Sequence, residues 1–555
     1  MAFIGVISAS LVVADEATSL EKPQSMEGQS PQHFDVFEIR VLGNSRLPQR
    51  EIEAWLYSYL GPNKTLDDIE KARKTLETLY HDRGFGTVFV DIPEQTVDEG
   101  TVRLAVTEAK LKQVHVSGAR YFSNREIKAA IPEAKAGTTP SLTKLQDQIT
   151  ALNVQTADRQ VVPVLKAGSE PGTVDLNLKV DDHLPLHASL EVNNQYSADT
   201  SPLRVAAGLS YDNLFARNDS VAIQYQASPQ KSEEVKVWLA SYTTHVFNED
   251  TRLVLIYVNS DSAVATLGSG DTRINVLGVG QTGSVRLIAP LASSGNSLGS
   301  INASVDYKNS LQSLCKNTVD LSLCPFEKLH PPIKDENGKP VADPYHLAYT
   351  PINYINFSLG YSAGWRGEKQ QGTFSLSGNF GVRGLRNDSL DFEDKRYLAN
   401  TNYIIFRSDG LLIFKLPYAF NLQTRYSAQY AFDPVIPNEQ FSLTGADGVR
   451  SYLESEELID RGVKGALQFG TPSWKLFKEK LSTDAYVFYD YGTGQIVQPL
   501  SYERTSHSVS SFGAGFNFNL FDHFNGDLFW SRALRDSTHT MRGNSRYQFN
   551  VRASW

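Results

Sequence analysis

Apolar and polar residues alternate one by one along most of the chain, from about Leu186 to Trp555. Between Ile301 and Lys308, for example, Ile, Ala, Val and Tyr alternate with Asn, Ser, Asp and Lys. An alternation with a period of two predicts β-strands. A soluble sandwich also alternates. Here, however, the second face carries Lys, Asp, Arg and Asn in strand after strand, which favours a barrel with lipid outside and water inside.

The alternating region contains sixteen candidate strands, and their connections alternate in length. Short connections such as Leu214–Asn218 and Phe521–Asn525 interleave with long ones such as Asp261–Arg273 and Leu311–Tyr349. Short turns on the periplasmic side and long loops outside the cell are typical of outer-membrane proteins. The pattern therefore predicts a 16-stranded antiparallel transmembrane β-barrel over residues 185–555.

An internal repeat organises the region before the barrel. The motif V-L-G-N from Val41 is followed by Glu-Ile, and it recurs as V-S-G-A from Val116, again followed by Glu-Ile. Likewise, G-T-V-R-L from Gly100 recurs as G-T-V-D-L from Gly172. Two matches at nearly the same offset indicate two copies of one module. Each copy reads as strand, helix, helix, strand, strand, so we predict two small α+β modules, 35–109 and 110–184.

The second helix of each module begins after a capping candidate, Thr65 or Ser141. Two strands close each module, and the first of them spans Thr87–Ile92 or Val161–Lys166. Pro163 lies inside the latter strand, and proline is tolerated at the edge of a sheet but not at its centre. This middle strand is therefore predicted to be an edge strand.

The N-terminus indicates the cellular compartment. Residues 1–14 are mostly apolar, with Val12 and Ala14 placed like the small residues before a signal-peptidase cleavage site. No Lys or Arg precedes Lys22, which departs from the usual positively charged start. The segment is too short to span a bilayer as a helix. We expect it to be a signal peptide, with a buried N-terminal strand as the alternative, followed by a polar lead-in over 15–34.

Composition excludes several other classes of protein. The chain has 555 residues and a net charge of −9, without a block of five like charges, so no nucleic-acid partner is expected. Its eleven His residues form no metal-ligand motif. A G-x-S-x-G match beginning at Gly295 lies in a turn with no following helix, so it does not indicate a hydrolase. We therefore expect neither an enzyme nor a cofactor or metal.

The only two cysteines, Cys315 and Cys324, lie close together in the longest predicted external loop. An extracytoplasmic compartment favours disulfides. We predict that the two residues form a disulfide that stabilises this loop by about 2–3 kcal/mol, with free thiols as the alternative.

Two such modules before a sixteen-stranded barrel resemble the TpsB transporters of two-partner secretion, the hemolysin secretion/activation protein family. Two motifs add to this resemblance. The family's V-R-G-Y signature, on a loop that folds back into the lumen between strands eleven and twelve, is similar to residues of the predicted loop 433–458: Val449, Arg450, Ser451 and Tyr452. The family's F-x-D-x-G motif on strand thirteen is similar to Phe488, Asp490 and Gly492. Ser451 departs from the family's Gly.

The resemblance implies a luminal latch between Arg450 and Asp490. On strand thirteen the apolar residues Val487 and Tyr489 would face lipid, which turns Asp490 inward. A carboxylate inside a barrel wall is costly unless a partner compensates it. The guanidinium of Arg450 can pair with a carboxylate through two hydrogen bonds. The alternative is that Arg450 is a hydrated loop residue and Asp490 an unpaired luminal charge.

The resemblance also implies the function. The modules would be periplasmic POTRA domains that recognise the N-terminal secretion domain of a large TpsA-type exoprotein, which the pore then exports unfolded. By resemblance the cargo is a hemolysin, an adhesin or a contact-dependent toxin. Exposed strand edges are the candidate docking sites, because they accept extended peptides. These candidates are Thr87, Val88, Phe89, Val90, Val161, Val162 and Val164.

Further expectations follow from the same resemblance. The barrel would be inserted by the barrel-assembly machinery and would function as a monomer. Many family members thread an N-terminal helix through the pore, but Asp15–Phe34 is too short to span the membrane and still leave a linker, so we expect no such plug. The alternative function is an outer-membrane assembly insertase, a class that usually carries more than two POTRA modules.

Overall fold

The computed structural model describes residues 33–555 apart from 98, 199, 233, 249, 262–263, 268–273, 278, 292–295, 316–346, 387 and 502. The chain divides into two compact units, Met1–His183 and Leu184–Trp555. The segment predicted as a signal peptide lies outside the described residues, as does the polar lead-in except for His33 and Phe34. Among the described residues, none of the helices combines the length and the apolar composition that a membrane-crossing helix requires.

The first module contains the predicted strand-helix-helix-strand-strand order. Its elements are β1 (Phe34–Val36), β2 (Glu38–Leu42), α1 (Gln49–Leu56), β3 (Gly61–Lys64), α2 (Leu66–Asp82), β4 (Val88–Asp91) and β5 (Thr101–Glu108). The strands form a sheet in the order β2-β5-β4, with β2 parallel and β4 antiparallel to β5. Thr65 caps α2 reciprocally with Asp68, as predicted. The small ladder between β1 and β3 was not predicted.

The second module repeats this order. Its elements are β6 (Lys110–Ser117), α3 (Asn124–Ala129), α4 (Leu142–Val154), β7 (Arg159–Ala167) and β8 (Thr173–Asp182). The sheet order is β6-β8-β7, so β7 is an edge strand and the position predicted for Pro163 is confirmed. The Ser141 side chain accepts a hydrogen bond from the backbone N–H of Lys144, so the predicted helix cap is present as well.

The repeated glycine of the two modules has a physical cause. Gly43 and Gly118 have φ of +85° and +93°. A Cβ at Gly43 would lie 2.3 Å from the carbonyl oxygen of Val106, and a Cβ at Gly118 would lie 2.2 Å from that of Val180. Only glycine tolerates both the backbone conformation and this close approach. The recurrence of the motif therefore reflects the same turn, packed in the same way, in both modules.

The second unit is a closed antiparallel barrel. Its first half contains β9 (Leu186–Asn193), β10 (Arg204–Leu214), β11 (Asp219–Ala227), β12 (Lys236–His245), β13 (Arg252–Asp261), β14 (Val264–Leu267), β15 (Ile274–Leu277), β16 (Gly280–Pro290), β17 (Ser297–Cys315) and β18 (Leu347–Arg366). Its second half contains β19 (Gln370–Gly381), α5 (Ser389–Lys395), β20 (Ile404–Lys415), β21 (Asn421–Ala431), β22 (Phe441–Ser442), β23 (Leu458–Ile459), β24 (Arg461–Gly470), β25 (Trp474–Leu476), β26 (Leu481–Gln495), β27 (Ser506–Leu520), β28 (Phe524–Ala533) and β29 (Ser545–Ser554).

The barrel has the predicted sixteen strand positions. The pairs β14–β15 and β22–β23 form separate ladders, and β25 shares one position with β24 because both pair with β26. The barrel closes where β9 pairs with both β10 and β29. On β26, the position of strand thirteen, the side chains of Val487, Tyr489 and Tyr491 are exposed whereas Asp490 is fully buried, which matches the predicted alternation.

Two predicted connections are shorter than expected. β17 and β18 remain paired up to Cys315 and Leu347, so these strands extend well into the loop predicted over Leu311–Tyr349. The β14–β15 ladder begins inside the loop predicted over Asp261–Arg273. Strands can extend beyond the membrane as long as their backbone groups find partners, and polar sequence therefore does not mark where a barrel strand ends.

Candidate functional site

The connection between β21 and β24, residues 432–460, packs against the inner wall of the barrel. It joins the eleventh and twelfth strand positions and includes the predicted motif loop. Its apolar side chains form one buried cluster with Val509 of β27 and Ala533 of β28; the loop members are Leu443, Val449, Tyr452 and Ile459. A loop that buries these residues against two barrel strands occupies the lumen.

Arg450 of this loop pairs with Asp490 of β26. Arg450 Nε donates to Asp490 Oδ2 at 2.8 Å, and Arg450 Nη2 donates to Asp490 Oδ1 at 2.8 Å. The backbone N–H of Arg450 also donates to Oδ2, at 3.0 Å. The remaining Nη1 donates to Gln468 Oε1 at 3.2 Å. Asp490 is fully buried and Arg450 nearly so. The bidentate (two-pronged) pairing of guanidinium and carboxylate compensates both buried charges.

The other two residues of the strand motif also contact the loop. The guanidinium carbon of Arg450 lies 3.3 Å from the centroid of the Phe488 ring, in a cation–π arrangement. A Cβ at Gly492 would lie 3.0 Å from Cγ2 of Val449 and 3.3 Å from Cδ2 of Leu443. Each residue of the strand motif therefore contacts the loop. Phe488 and Asp490 both contact the guanidinium of Arg450, and the absence of a side chain at Gly492 leaves room for Val449 and Leu443.

The loop tip turns sharply at the residue where the family has glycine. Ser451 has φ of +89°, in the left-handed region that favours glycine, and its side chain is fully buried. Next to it, the buried Tyr452 hydroxyl lies 3.0 Å from the carbonyl oxygen of Ser510 and 2.9 Å from that of Arg535. Arg546 Nη1 donates to the Tyr452 carbonyl at 2.6 Å. Each residue of the loop motif thus contacts the barrel or turns the loop toward it.

Two further acidic residues form ion pairs at the base of the loop, Glu439 with the barrel wall and Asp460 with the connection between β19 and β20. Glu439 pairs with Lys308 and Arg407, at 2.5 Å and 3.0 Å. Asp460 accepts hydrogen bonds from Arg396 Nη1 and Nη2, at 2.5 Å and 2.7 Å. Sequence reasoning missed both sites because neither belongs to a motif, and the partners of Glu439 lie 131 and 32 positions away along the chain.

The outer side of the loop is tied to the last external connection, residues 534–544. Glu456 accepts hydrogen bonds from the backbone N–H and the hydroxyl of Thr540, at 2.6 Å and 2.8 Å. Glu457 accepts from the backbone N–H of Thr538 at 3.0 Å, and His507 Nδ1 lies 2.5 Å from its other oxygen. The loop and the external connection are therefore bound to each other by hydrogen bonds.

A cavity of about 240 Å³ adjoins the loop tip. Arg450 and Asp447 line it from the loop, and Arg425, Asp527 and Gln468 line it from the barrel wall. Its lining is mainly polar, so the space next to the tip suits water and other hydrogen-bonding groups.

The predicted docking strands β4 and β7 have one edge each without a strand partner among the described residues. Not all candidate residues on them face outward. Phe89 and Val162 are exposed to 53% and 42%, and Val164 is half-buried. The remaining candidates are buried; they are Thr87, Val88, Val90 and Val161. Their edge backbone is partly occupied by side chains of the same module. The side-chain amide of Asn153 binds both the N–H and the carbonyl of Val161, at 2.8 Å and 2.9 Å. The carbonyls of Val90 and Val88 contact Arg73 Nη1 at 2.9 Å and His81 Nε2 at 3.2 Å.

The start of β7 carries a buried cation. Arg159 donates from Nη2 to the carbonyl of Leu152 at 2.9 Å, and its guanidinium carbon lies 4.8 Å from the centroid of the Phe122 ring. Burial lowers the pKa of this guanidinium, although arginine remains protonated at physiological pH. Arg159 fixes β7 to the helix α4 behind it.

The predicted disulfide lies outside the described residues, because Cys324 and the side chain of Cys315 are not among them. The pairing of the two cysteines stays a prediction.

Two β-α-α-β-β modules and a closed barrel with a loop clamped inside it define an outer-membrane transporter of the POTRA-and-barrel class. Residues 34–109 match the family model of the POTRA domain, ShlB-type, and residues 346–518 match that of the haemolysin secretion/activation protein ShlB/FhaC/HecB. These matches confirm the resemblance to the TpsB-type transporters of two-partner secretion.

Individual relatives agree with this assignment. The chain is 20% identical to the heme/hemopexin transporter protein HuxB of Haemophilus influenzae, over 90% of this chain and 83% of that protein. It is 25% identical to the outer membrane transporter CdiB of Dickeya dadantii, over 34% of this chain and 32% of that protein. The protein is an outer-membrane secretion pore and not an enzyme, and its POTRA modules are periplasmic.

Solved structures share the fold. CdiB from Escherichia coli aligns with a TM-score of 0.61 at 16% identity, covering 96% of this chain and 93% of that one. BamA from Haemophilus ducreyi lacking POTRA domains 1–3 aligns with a TM-score of 0.56 at 13% identity, covering 94% of this chain and 100% of that one. At these identities the likeness concerns the fold alone.

Proposed function

We propose that the loop 432–460 is the gate of this secretion pore and that the pair Arg450–Asp490 is its latch. The observation that carries the proposal is the buried, two-pronged contact between a loop residue and the barrel wall. An ion pair of this kind is costly to separate, because each charge would be left without a partner in a poorly hydrated place. The resting pore is therefore held closed, and export requires the loop to leave its seat.

Binding of the cargo inside the pore would trigger the opening of the gate. An unfolded chain that enters from the periplasm reaches the polar cavity beside the loop tip, which Arg450 and Asp447 line, although most of the Arg450 side chain is covered while the loop is closed. Backbone carbonyls and carboxylates of the cargo can then accept hydrogen bonds from Arg450 in place of Asp490. The exchange lowers the cost of release because the guanidinium keeps a partner throughout.

The free edges of β4 and β7 are the proposed docking sites for the cargo. A strand edge offers unpaired backbone N–H and C=O groups to an extended segment. On β4 and β7 an added strand would first have to replace the side chains of His81, Arg73 and Asn153 that bind the edge backbone. Phe89 and Val162 stand exposed beside these groups and would contact alternate side chains of the added strand. Recognition in the periplasm and gating in the barrel are then two separate steps.

The partner is a large exoprotein bound through its N-terminal secretion domain. One relative is named a heme/hemopexin transporter protein, and we propose for this chain a cargo of the hemolysin, adhesin or contact-dependent toxin class. We further propose that the barrel-assembly machinery inserts the chain and that it functions as a monomer.

Locking the gate tests the proposal directly. Cγ2 of Val449 lies 3.0 Å from where a Cβ at Gly492 would stand, a separation that suits a disulfide between these positions. The double variant Val449→Cys/Gly492→Cys should block export when oxidised and recover it when a reductant is added. The single variants Val449→Cys and Gly492→Cys are the controls, the second because a side chain at position 492 is itself expected to displace the loop. Export by the cross-linked pore at the wild-type rate would refute the gate.

A further inference from the structure

Glu439 is a fully buried carboxylate with three side-chain partners from three different strands. It accepts hydrogen bonds from Lys308 Nζ of β17 at 2.5 Å, from Tyr354 Oη of β18 at 2.7 Å and from Arg407 Nη2 of β20 at 3.0 Å. Its own backbone carbonyl accepts from Gln429 Nε2 of β21 at 2.9 Å. No part of the loop motif or the strand motif is involved in these contacts.

We propose that Glu439 is a positioning residue of the gate, which anchors the base of the loop to β17, β18 and β20 while Arg450 anchors its tip to β26. The proposal rests on the proposed function of the loop as a gate. It adds a second anchor, defined here as Glu439 with Lys308 and Arg407, and assigns to it the resting position of the loop.

The placement of the two anchors supports this role. Lys308 on β17 and Asp490 on β26 are six strand positions apart in the sixteen-stranded barrel. Neighbouring strands lie about 4.8 Å apart, so the anchors are separated by about 29 Å along the wall. The loop starts after β21, which lies between β17 and β26 in the barrel, and it contacts the wall on both sides of its starting point. A loop fastened in this way lies across the lumen, whereas a loop fastened at the tip alone would be free to pivot.

The environment of the second anchor shows that it is built into the fold. Tyr354 belongs to a buried cluster with Val435 and Ile436 of the loop and Phe392 of α5. A carboxylate enclosed by such a cluster is tolerated only because cations and a hydroxyl satisfy it. Two cations share this one carboxylate, so its removal leaves two like charges without compensation. The anchor is therefore expected to be sensitive to charge rather than to size.

The consequence concerns the two stages of opening. When Arg450 leaves Asp490, the tip is free but the base stays bound through Glu439, so the lumen opens only in part. The base also returns the tip to its seat after export. Loss of both anchors should open the pore further than the sum of the two separate losses.

Planar-bilayer conductance of the purified full chain tests this inference. Glu439→Gln keeps the size of the side chain and removes its charge. We expect a higher resting current in this variant, a higher one in Asp490→Asn, and in the double variant an increase larger than the two single increases added together. Glu479→Gln, on an exposed turn, is the matched control and should leave the current unchanged. Heat-modifiable migration verifies that each variant has formed its barrel.

A second measurement separates charge pairing from a merely structural role. In the Glu439→Gln background, Lys308→Met removes one of the two uncompensated cations, so the resting current should fall back toward the wild-type value. A merely structural role predicts no such recovery, because Lys308→Met would perturb the packing independently of Glu439→Gln. If Glu439→Gln fails to form a barrel, Tyr354→Phe, which removes one donor and no charge, should still raise the current slightly.

The outcomes distinguish the inference from the function on which it rests. A wild-type current in Glu439→Gln, alone and in the Asp490→Asn background, would overturn the second anchor while leaving the latch intact. A wild-type current and wild-type export in Asp490→Asn would overturn the gate itself.

Discussion

Gly492 on the barrel wall and Val449 on the luminal loop are in such close contact that a Cβ at Gly492 would lie 3.0 Å from Val449 Cγ2. That separation is below ordinary van der Waals contact, so an added methyl group would displace the loop or the strand. Gly492 therefore serves the fit of the loop, and its φ is not among the positive values that would require glycine for conformational reasons.

Gly492→Ala should weaken the seat of the loop by about 1–3 kcal/mol, the usual cost of overpacking, and Gly492→Val should do so more strongly. We expect a higher resting conductance in both variants, increasing with side-chain size. Gly283→Ala is the control, because a Cβ there would have no neighbour within 4 Å. Equal conductance in all three variants would show that the gap at Gly492 does not position the loop.

Arg450→Ala and Asp490→Ala should each impair export while the barrel still inserts. Removal of one partner strands the other in a buried place, at a cost of about 3–5 kcal/mol. Arg450→Lys should be nearly as defective, because an ammonium cannot form the two-pronged contact with Asp490. Secreted cargo per inserted pore is the quantity to measure. Arg217→Ala, an exposed control on the turn between β10 and β11, should export normally.

The double variant Arg450→Ala/Asp490→Ala tests whether the two residues act as a pair. Because the ion pair is lost after either single change, the second change should reduce export little further. The double variant can even be more stable than either single variant, because neither of the two buried charges is left without its partner. Additive losses of export would instead mean that Arg450 and Asp490 act independently, and the latch would then have to be abandoned.

Ser451→Gly should stabilise the closed loop. A residue with a side chain pays about 1 kcal/mol or more for the left-handed conformation that Ser451 adopts, and glycine does not. The hydroxyl that would be lost contacts the Asn544 carbonyl at only 3.4 Å, so it offsets little of this gain. We expect a lower resting conductance and slower export. Faster export would mean that the contacts of the Ser451 side chain hold the loop closed and outweigh the backbone strain.

The fold and the site could be predicted from the sequence to different extents. The alternation on β26 reports the two faces of the wall directly, because each residue contacts either lipid or lumen, and it placed Asp490 inside. The contact with Arg450 spans 40 positions and was predicted only through the family motifs. Sequence spacing alone also allowed a hydrated Arg450.

What the sequence did not reveal has no local pattern. Glu439 meets Lys308 across 131 positions, and an ion pair between distant strands leaves no trace in the periodicity of either one. The β1–β3 ladder pairs strands of three and four residues, too short to show an alternation. In both cases the contact is determined by the tertiary arrangement, which a single sequence does not reveal.

Deletion of Phe37–Val180 should abolish cargo binding and leave an inserted, heat-modifiable barrel. The POTRA modules bury two cores of their own, around Leu76 and around Ile127, and the barrel clusters contain none of these residues. Units with separate cores can fold separately. Equal affinity of the secretion domain for the deleted and the full chain, measured by calorimetry or pull-down, would move recognition to the pore.

Single substitutions locate the docking edge more finely. Phe89→Glu and Val162→Glu place a charge beside the free edges of β4 and β7, where an added strand would have to bury it. Both side chains are already exposed, so the modules should remain folded by circular dichroism and thermal unfolding. We expect weaker binding of the secretion domain from whichever edge is used and no change from the other. Val154→Glu is the matched control, because Val154 is similarly exposed but lies at the end of α4 and not on an edge strand. If Phe89→Glu and Val162→Glu both bind the secretion domain like the wild type, the cargo does not dock beside these two side chains, and the docking sites proposed on β4 and β7 are refuted.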